Sequence, residues 1–148
     1  MSFVYIENGK EMLRLEDVEE VEYLRARNYF ACIAKARAPS GRRRVSWSLS
    51  FLYFDRWVRR RGERQCYMEV RVHPGKLTCY LNRRQVKELY LAMVREGGKA
   101  SAQAMCEVEV EGSTIIMRDL ARRIEVKICL PSDAWSSLLK FMQHYVEF

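Results

Sequence analysis

The sequence predicts an α+β domain: an antiparallel sheet of about four to five strands, with helices packed on one face to form a cleft. Three observations predict it. Val45 to Phe54, Gln65 to Leu81 and Arg122 to Leu130 alternate apolar and polar residues with the period of a strand. The stretches after Asn82 and after Pro131 repeat apolar residues every three or four positions, as a helix does. The strands gather around short turn signals, and an antiparallel sheet with its helices to one side is the simplest packing for that order. The 148 residues fit one domain, 1–148, and no segment resembles a linker.

Taken in order, Ser2 to Ile6 reads as a short edge strand. Glu7 to about Arg37 reads as helical, from Met12, Leu15 and Val18 and then Val21, Leu24, Tyr29, Phe30 and Ile33, with a break near Asn28. Its acidic first half suits the positive end of a helix dipole. Ala38-Pro39-Ser40-Gly41 is a loop. In the strand that follows, Trp47, Leu49, Phe51 and Tyr53 share one face and Ser46, Ser48 and Ser50 the other. Asp55 to Arg61 either extends that strand or forms a short helix carrying Trp57.

Gln65 to Leu81 reads as a hairpin turning at Pro74-Gly75, with Val70 opposite Cys79 and Val72 opposite Leu77. Cys66, Met68, Val70 and Val72 then lie inward, and Tyr67, Glu69, Arg71 and His73 outward. Asn82 caps a helix, with Gln85 completing a capping box and Val86, Leu89, Tyr90 and Met93 as its apolar stripe. Gly97-Gly98 ends it. A second hairpin runs from Met105 to Val110 and Thr114 to Met117 around Gly112-Ser113. Ile124, Val126, Ile128 and Leu130 point inward from the next strand. Ser132 or Asp133 then caps a last helix striped by Trp135, Leu138, Leu139, Met142, Tyr145 and Val146. QCYMEVRV and AMCEVEVEG open two similar strand–strand–helix stretches, a hint of an internal repeat.

Composition narrows the function classes. No apolar run spans a bilayer and no signal-peptide pattern is present, so an intracellular, cytoplasmic protein is expected. The five cysteines (Cys32, Cys66, Cys79, Cys106, Cys129) form no CxxC pair, sit among apolar neighbours and read as reduced core residues. The net charge of +7 is concentrated. Lys35 to Arg64 carries +8 and the rest of the chain −1, and arginines outnumber lysines 19 to 7. Arginine binds phosphate through a planar fork and stacks on flat rings, so this segment suits a polyanion. The arginine-rich, Tyr- and Val-rich composition also suits a thermophile.

Cations and rings coincide between Gly41 and Arg71. Arg42, Arg43 and Arg44 precede Trp47, Phe51 and Tyr53; Arg56, Arg59, Arg60, Arg61 and Arg64 surround Trp57; Tyr67 and Arg71 follow. Single-stranded nucleic acid needs this mixture, because its phosphates require cations and its unstacked bases require flat apolar partners. Plain core packing competes as the account of the Trp47–Tyr53 row. Duplex readout would use a helix or ribbon in the major groove, and no helix-turn-helix or zinc-finger pattern occurs. Catalytic signals are thin: His73 and His144 are isolated, and no nucleophile-elbow, HExxH or phosphate-loop pattern occurs. Glu107, Glu109 and Glu111 alternate along one strand, where cross-strand ion pairing with Arg123 and Lys127 is expected in place of a metal site. The sequence thus points to no catalytic residue, metal or cofactor.

The element order, the segment RRRVSWSLSFLYFDRWVRRR and the amphipathic ending after LPSDAW resemble the ThermoDBP family, single-stranded DNA-binding proteins that replace the usual OB-fold protein in Thermoproteales archaea. The resemblance implies a cleft with an apolar floor and basic edges, binding single strands with little sequence preference during replication and repair. It also implies a homodimer through a zipper-like C-terminal helix, although this sequence stops before any sustained heptad. RNA binding is a close alternative, and a protein-interaction or scaffold module of an archaeal or viral assembly a more distant one.

Overall fold

The computed structural model describes the backbone of residues 2–15, 20–26, 29–37, 44–53, 65–72, 75–102 and 105–146, with side chains within 2–12, 14, 77–82, 84–102 and 105–143. It is an α+β fold. Strands β1 (Ser2–Glu7), β2 (Lys10–Leu15), β8 (Gly97–Ser101), β9 (Cys106–Glu111), β10 (Thr114–Asp119) and β11 (Ile124–Cys129) form one sheet, in the order β2-β1-β11-β10-β9-β8. Strands β3 (Glu20–Ala26), β4 (Tyr29–Arg37), β5 (Arg44–Tyr53), β6 (Gln65–Val72) and β7 (Gly75–Asn82) form a second, in chain order. All neighbouring strands in both sheets are antiparallel. Helices α1 (Arg83–Val94) and α2 (Ser132–Val146) complete the described elements. None of them is long and apolar enough to cross a membrane.

The largest departure from expectation lies in residues 7–37, read as helix, whose described parts 10–15, 20–26 and 29–37 are strands. The Glu, Leu, Arg and Ala content there favours helix locally. Pairing overrides it: Asn8 and Gly9 take φ of 52° and 74°, the left-handed pair that a tight hairpin turn requires, and β1 folds back on β2. β3 pairs with β4 and β4 with β5, so partners from elsewhere in the sheet satisfy the backbone. β1 is an interior strand between β2 and β11, not an edge.

The hairpin β6–β7 forms with its register moved by two residues. Val72 stands opposite Gly75, Val70 opposite Leu77 and Met68 opposite Cys79, so the connection is residues 73–74. A shift of two preserves which residues share a side of the pleat. β9–β10 turns at Gly112-Ser113 as expected, with Gly112 at φ 60°. The two stretches opened by QCYMEVRV and AMCEVEVEG lie in different sheets, and the second inserts β11 before its helix.

α1 opens on a reciprocal capping box. The Gln85 amide donates to Asn82 Oδ1 (2.8 Å) and the Asn82 amide donates to Gln85 Oε1 (2.9 Å). The helix is closed by Glu96, which takes the left-handed conformation at φ 56° and donates its amide to the Met93 carbonyl. Gly97-Gly98 instead begins β8, a strand too glycine-rich to announce itself. At the start of α2 the Trp135 amide donates to the Pro131 carbonyl, so the first helical turn closes one residue before the expected cap.

One hydrophobic core joins these parts. Cross-strand rows Phe3–Ile128–Ile115–Val110 and Tyr5–Val126–Met117–Val108–Ala100 cover one face of the six-stranded sheet. Against them pack Val86, Leu89 and Met93 of α1, Ala134, Leu138, Phe141 and Met142 of α2, and Leu77, Cys79 and Leu81 of β7. Each large side chain so buried contributes about 2 kcal/mol. The expected α2 stripe is confirmed at Leu138 and Met142, with Trp135 and Leu139 half-buried at its margin. Cys79 and Cys106 are buried free thiols and Cys129 is half-buried.

Candidate nucleic-acid interface

Of the basic segment, Lys35, Arg37 and Arg44 are described, and they lie in β4 and β5 of the five-stranded sheet. Arg44, Trp47, Phe51 and Tyr53 lie in β5, and Tyr67 and Arg71 in β6. Arg42, Arg43, Arg56, Trp57, Arg59, Arg60, Arg61 and Arg64, and with them the expected cleft, lie outside the described residues. Strand direction still orders the segment. Arg37 pairs with Arg44 at one end of β5, and Arg71, opposite Ser48 and Lys76, stands midway along it. The chain that carries Arg56 to Arg64 leaves from the other end, after Tyr53, and returns at Gln65. Ten residues of β5 separate these ends by about 30 Å.

The register also sorts the rings. Tyr53–Cys66–Leu81, Phe51–Met68–Cys79 and Leu49–Val70–Leu77 are continuous cross-strand rows. Each ends on a β7 residue that is wholly buried. Trp47, opposite Ala34 and Val72, belongs to the same alternating set. The intervening rows are Tyr29–Leu52–Tyr67–Tyr80, Ala31–Ser50–Glu69–Thr78 and Ile33–Ser48–Arg71–Lys76. Here the β7 member Tyr80 is 46 % exposed. Tyr67 and Tyr80 are directly opposed as a result of the two-residue shift. Lys76 and Tyr80 join the set of candidate residues only through this pairing, a signal that one strand's alternation does not carry.

The outward rows of the six-stranded sheet differ in kind: their charges satisfy one another. Arg118 donates to Glu107 (2.8 Å) and Glu109 (2.6 Å) and lies 3.6 Å from Glu125. Lys127 approaches Glu125 at 3.6 Å and Lys99 approaches Glu109 at 3.9 Å. The hydrogen bond from Arg118 holds the Glu109 carboxyl below its usual range. The expected cross-strand pairing of these glutamates therefore exists, but its centre is Arg118. Arg123 sits in the β10–β11 turn at φ 54°, and Lys127 bonds a residue of its own strand. Among the described residues no group of three His, Cys, Asp or Glu side chains is placed to hold a metal ion. Comparison of the chain with protein families, curated proteins and solved structures finds no match.

Proposed function

We propose that the protein binds single-stranded DNA with little sequence preference along its five-stranded sheet, shielding single strands during replication and repair. The observation that carries this reading is the segregation of charge. The +8 segment belongs to the strands and connections of one sheet, whereas the outward charges of the other sheet are tied to one another. Cations toward both ends of β5 would hold phosphates, and rings between them would stack bases, each stack contributing ~1–3 kcal/mol. Tyr67 and Tyr80 are taken as stacking residues because Tyr80 is exposed. Trp57 lies within the arginine-rich connection. Trp47, Phe51 and Tyr53 share the alternation of buried positions, so replacing them is expected to cost stability before affinity.

The test is anisotropy of a labelled oligo-dT at two salt concentrations, beside a duplex of equal length. Affinity should fall with salt, with a log–log slope of about −0.7 per phosphate neutralised, and the single strand should be preferred. Equal affinity for the duplex would reject the reading. Replacing Arg59, Arg60 and Arg61 by Ala should flatten the slope; Tyr67→Ala with Tyr80→Ala should weaken binding roughly tenfold or more at unchanged slope. Oligo-U in place of oligo-dT distinguishes RNA. A protein-interaction module is the second reading, favoured by exposed Leu91 and Val94 on α1 and by exposed Met105 beside Leu120, whose amide donates to the Met105 carbonyl. A stable oligomer on sizing, with no oligonucleotide bound, would select it.

A further inference from the structure

Two of the free thiols meet where the sheets pack. Cys79 is in the middle of β7 and fully buried; Cys106 opens β9 and is 7 % exposed. They belong to different sheets and to the same core, and β7 packs directly on β9 and β10. Cys106 Sγ reaches the carbonyl of Thr78, the residue before Cys79, at 3.6 Å. Each thiol raises or lowers the other's acidity through their mutual proximity in this core. No other described element links the five-stranded sheet to the six-stranded one through side chains able to form a covalent bond.

We propose that Cys79 and Cys106 are a latent disulfide that, on oxidation, fastens the two sheets together. With a low-molecular-weight disulfide as oxidant the chemistry closes in two exchanges. The thiolate of Cys106, the less covered of the two, attacks one sulfur of the oxidant, forming a mixed disulfide and expelling one small thiolate. The Cys79 thiolate then attacks the Cys106 sulfur and expels the second. Two protein thiols and one small disulfide become one protein disulfide and two small thiols. Both protein thiols are weakly acidic, Cys79 above all because burial disfavours its charged form, so the exchange is slow at neutral pH.

The experiment treats the full chain with oxidised glutathione under native conditions, then maps its peptides by mass spectrometry. The expected product has lost two hydrogen atoms, carries no glutathione, and yields one linked peptide pair containing Cys79 and Cys106. Its formation should quicken as the pH is raised past the ordinary cysteine range. Its Tm should rise by roughly 10 °C over the reduced chain. Cys79→Ala and Cys106→Ala should each abolish the link, and Cys129→Ala should keep it. Circular dichroism of each variant checks that it is folded. A link between other cysteines, a glutathione adduct that never closes, or two thiols still titratable after prolonged oxidation would overturn the proposal.

Discussion

Arg118 shows how much one side chain can organise on a sheet surface. Standing opposite Glu107 on β9 and Glu125 on β11, it converts three crowded carboxylates into a network. Arg118→Ala is expected to lower stability at neutral pH by about 1–2 kcal/mol, read from urea unfolding. The pH dependence follows from Glu109, whose carboxyl is held below its unfolded value by the Arg118 hydrogen bond. The resulting stabilisation is complete above the ordinary carboxylate range and is lost as the pH falls through it and below. Asp119 adds to the same acid limb: burial raises its pKa, but hydrogen bonds from the Arg122 side chain and from the amides of Arg122 and Ala121 prevail and lower it. The wild type should therefore lose more stability between neutral and acid pH than Arg118→Ala does. The alternation of glutamates was legible in the sequence. Their partner was not, because the residue that stands opposite is fixed by register.

Among the elements, those bounded by their own chemistry were the readable ones. Asn82 with Gln85 announces α1, and Asn82→Ala should cost about 1 kcal/mol in a thermal melt. Gly98 is bound more tightly than its position suggests. At φ 134°, with an added Cβ 3.2 Å from the Ala92 Cβ, Gly98→Ala should destabilise the α1–β8 junction by at least as much. β11 and α2 were likewise legible from Ile124, Val126, Ile128, Leu138 and Met142, all buried. Residues 7–37 were misread because good helix formers obscured the period of two in Glu20–Ala26, although Asn8-Gly9 is among the strongest hairpin signals a sequence can carry. A strand such as Gly97–Ser101 has almost no side chains with which to declare itself.

For the whole molecule, charge told more than periodicity. The sequence located the basic segment, and pairing sorts the rows of the five-stranded sheet into those that end on the buried Leu77, Cys79 and Leu81 and one that ends on the exposed Tyr80. That sorting could not be read from one strand, because alternation defines two faces without saying which is covered. If the five-stranded sheet binds DNA, Lys99→Ala and Lys127→Ala should leave affinity and salt slope unchanged, since those amines already serve glutamates. The interior position of β1 has a consequence of another kind. Residues 2–7 pair with residues 10–15 on one side and with residues 124–129 on the other, so β1 gains its second neighbour only after more than a hundred further residues have been made. Such distant closure makes for slow refolding, in the millisecond-to-second range by stopped flow. During synthesis it leaves one edge of β1 open, with Phe3 and Tyr5, which are core residues in the finished protein, uncovered until β11 arrives.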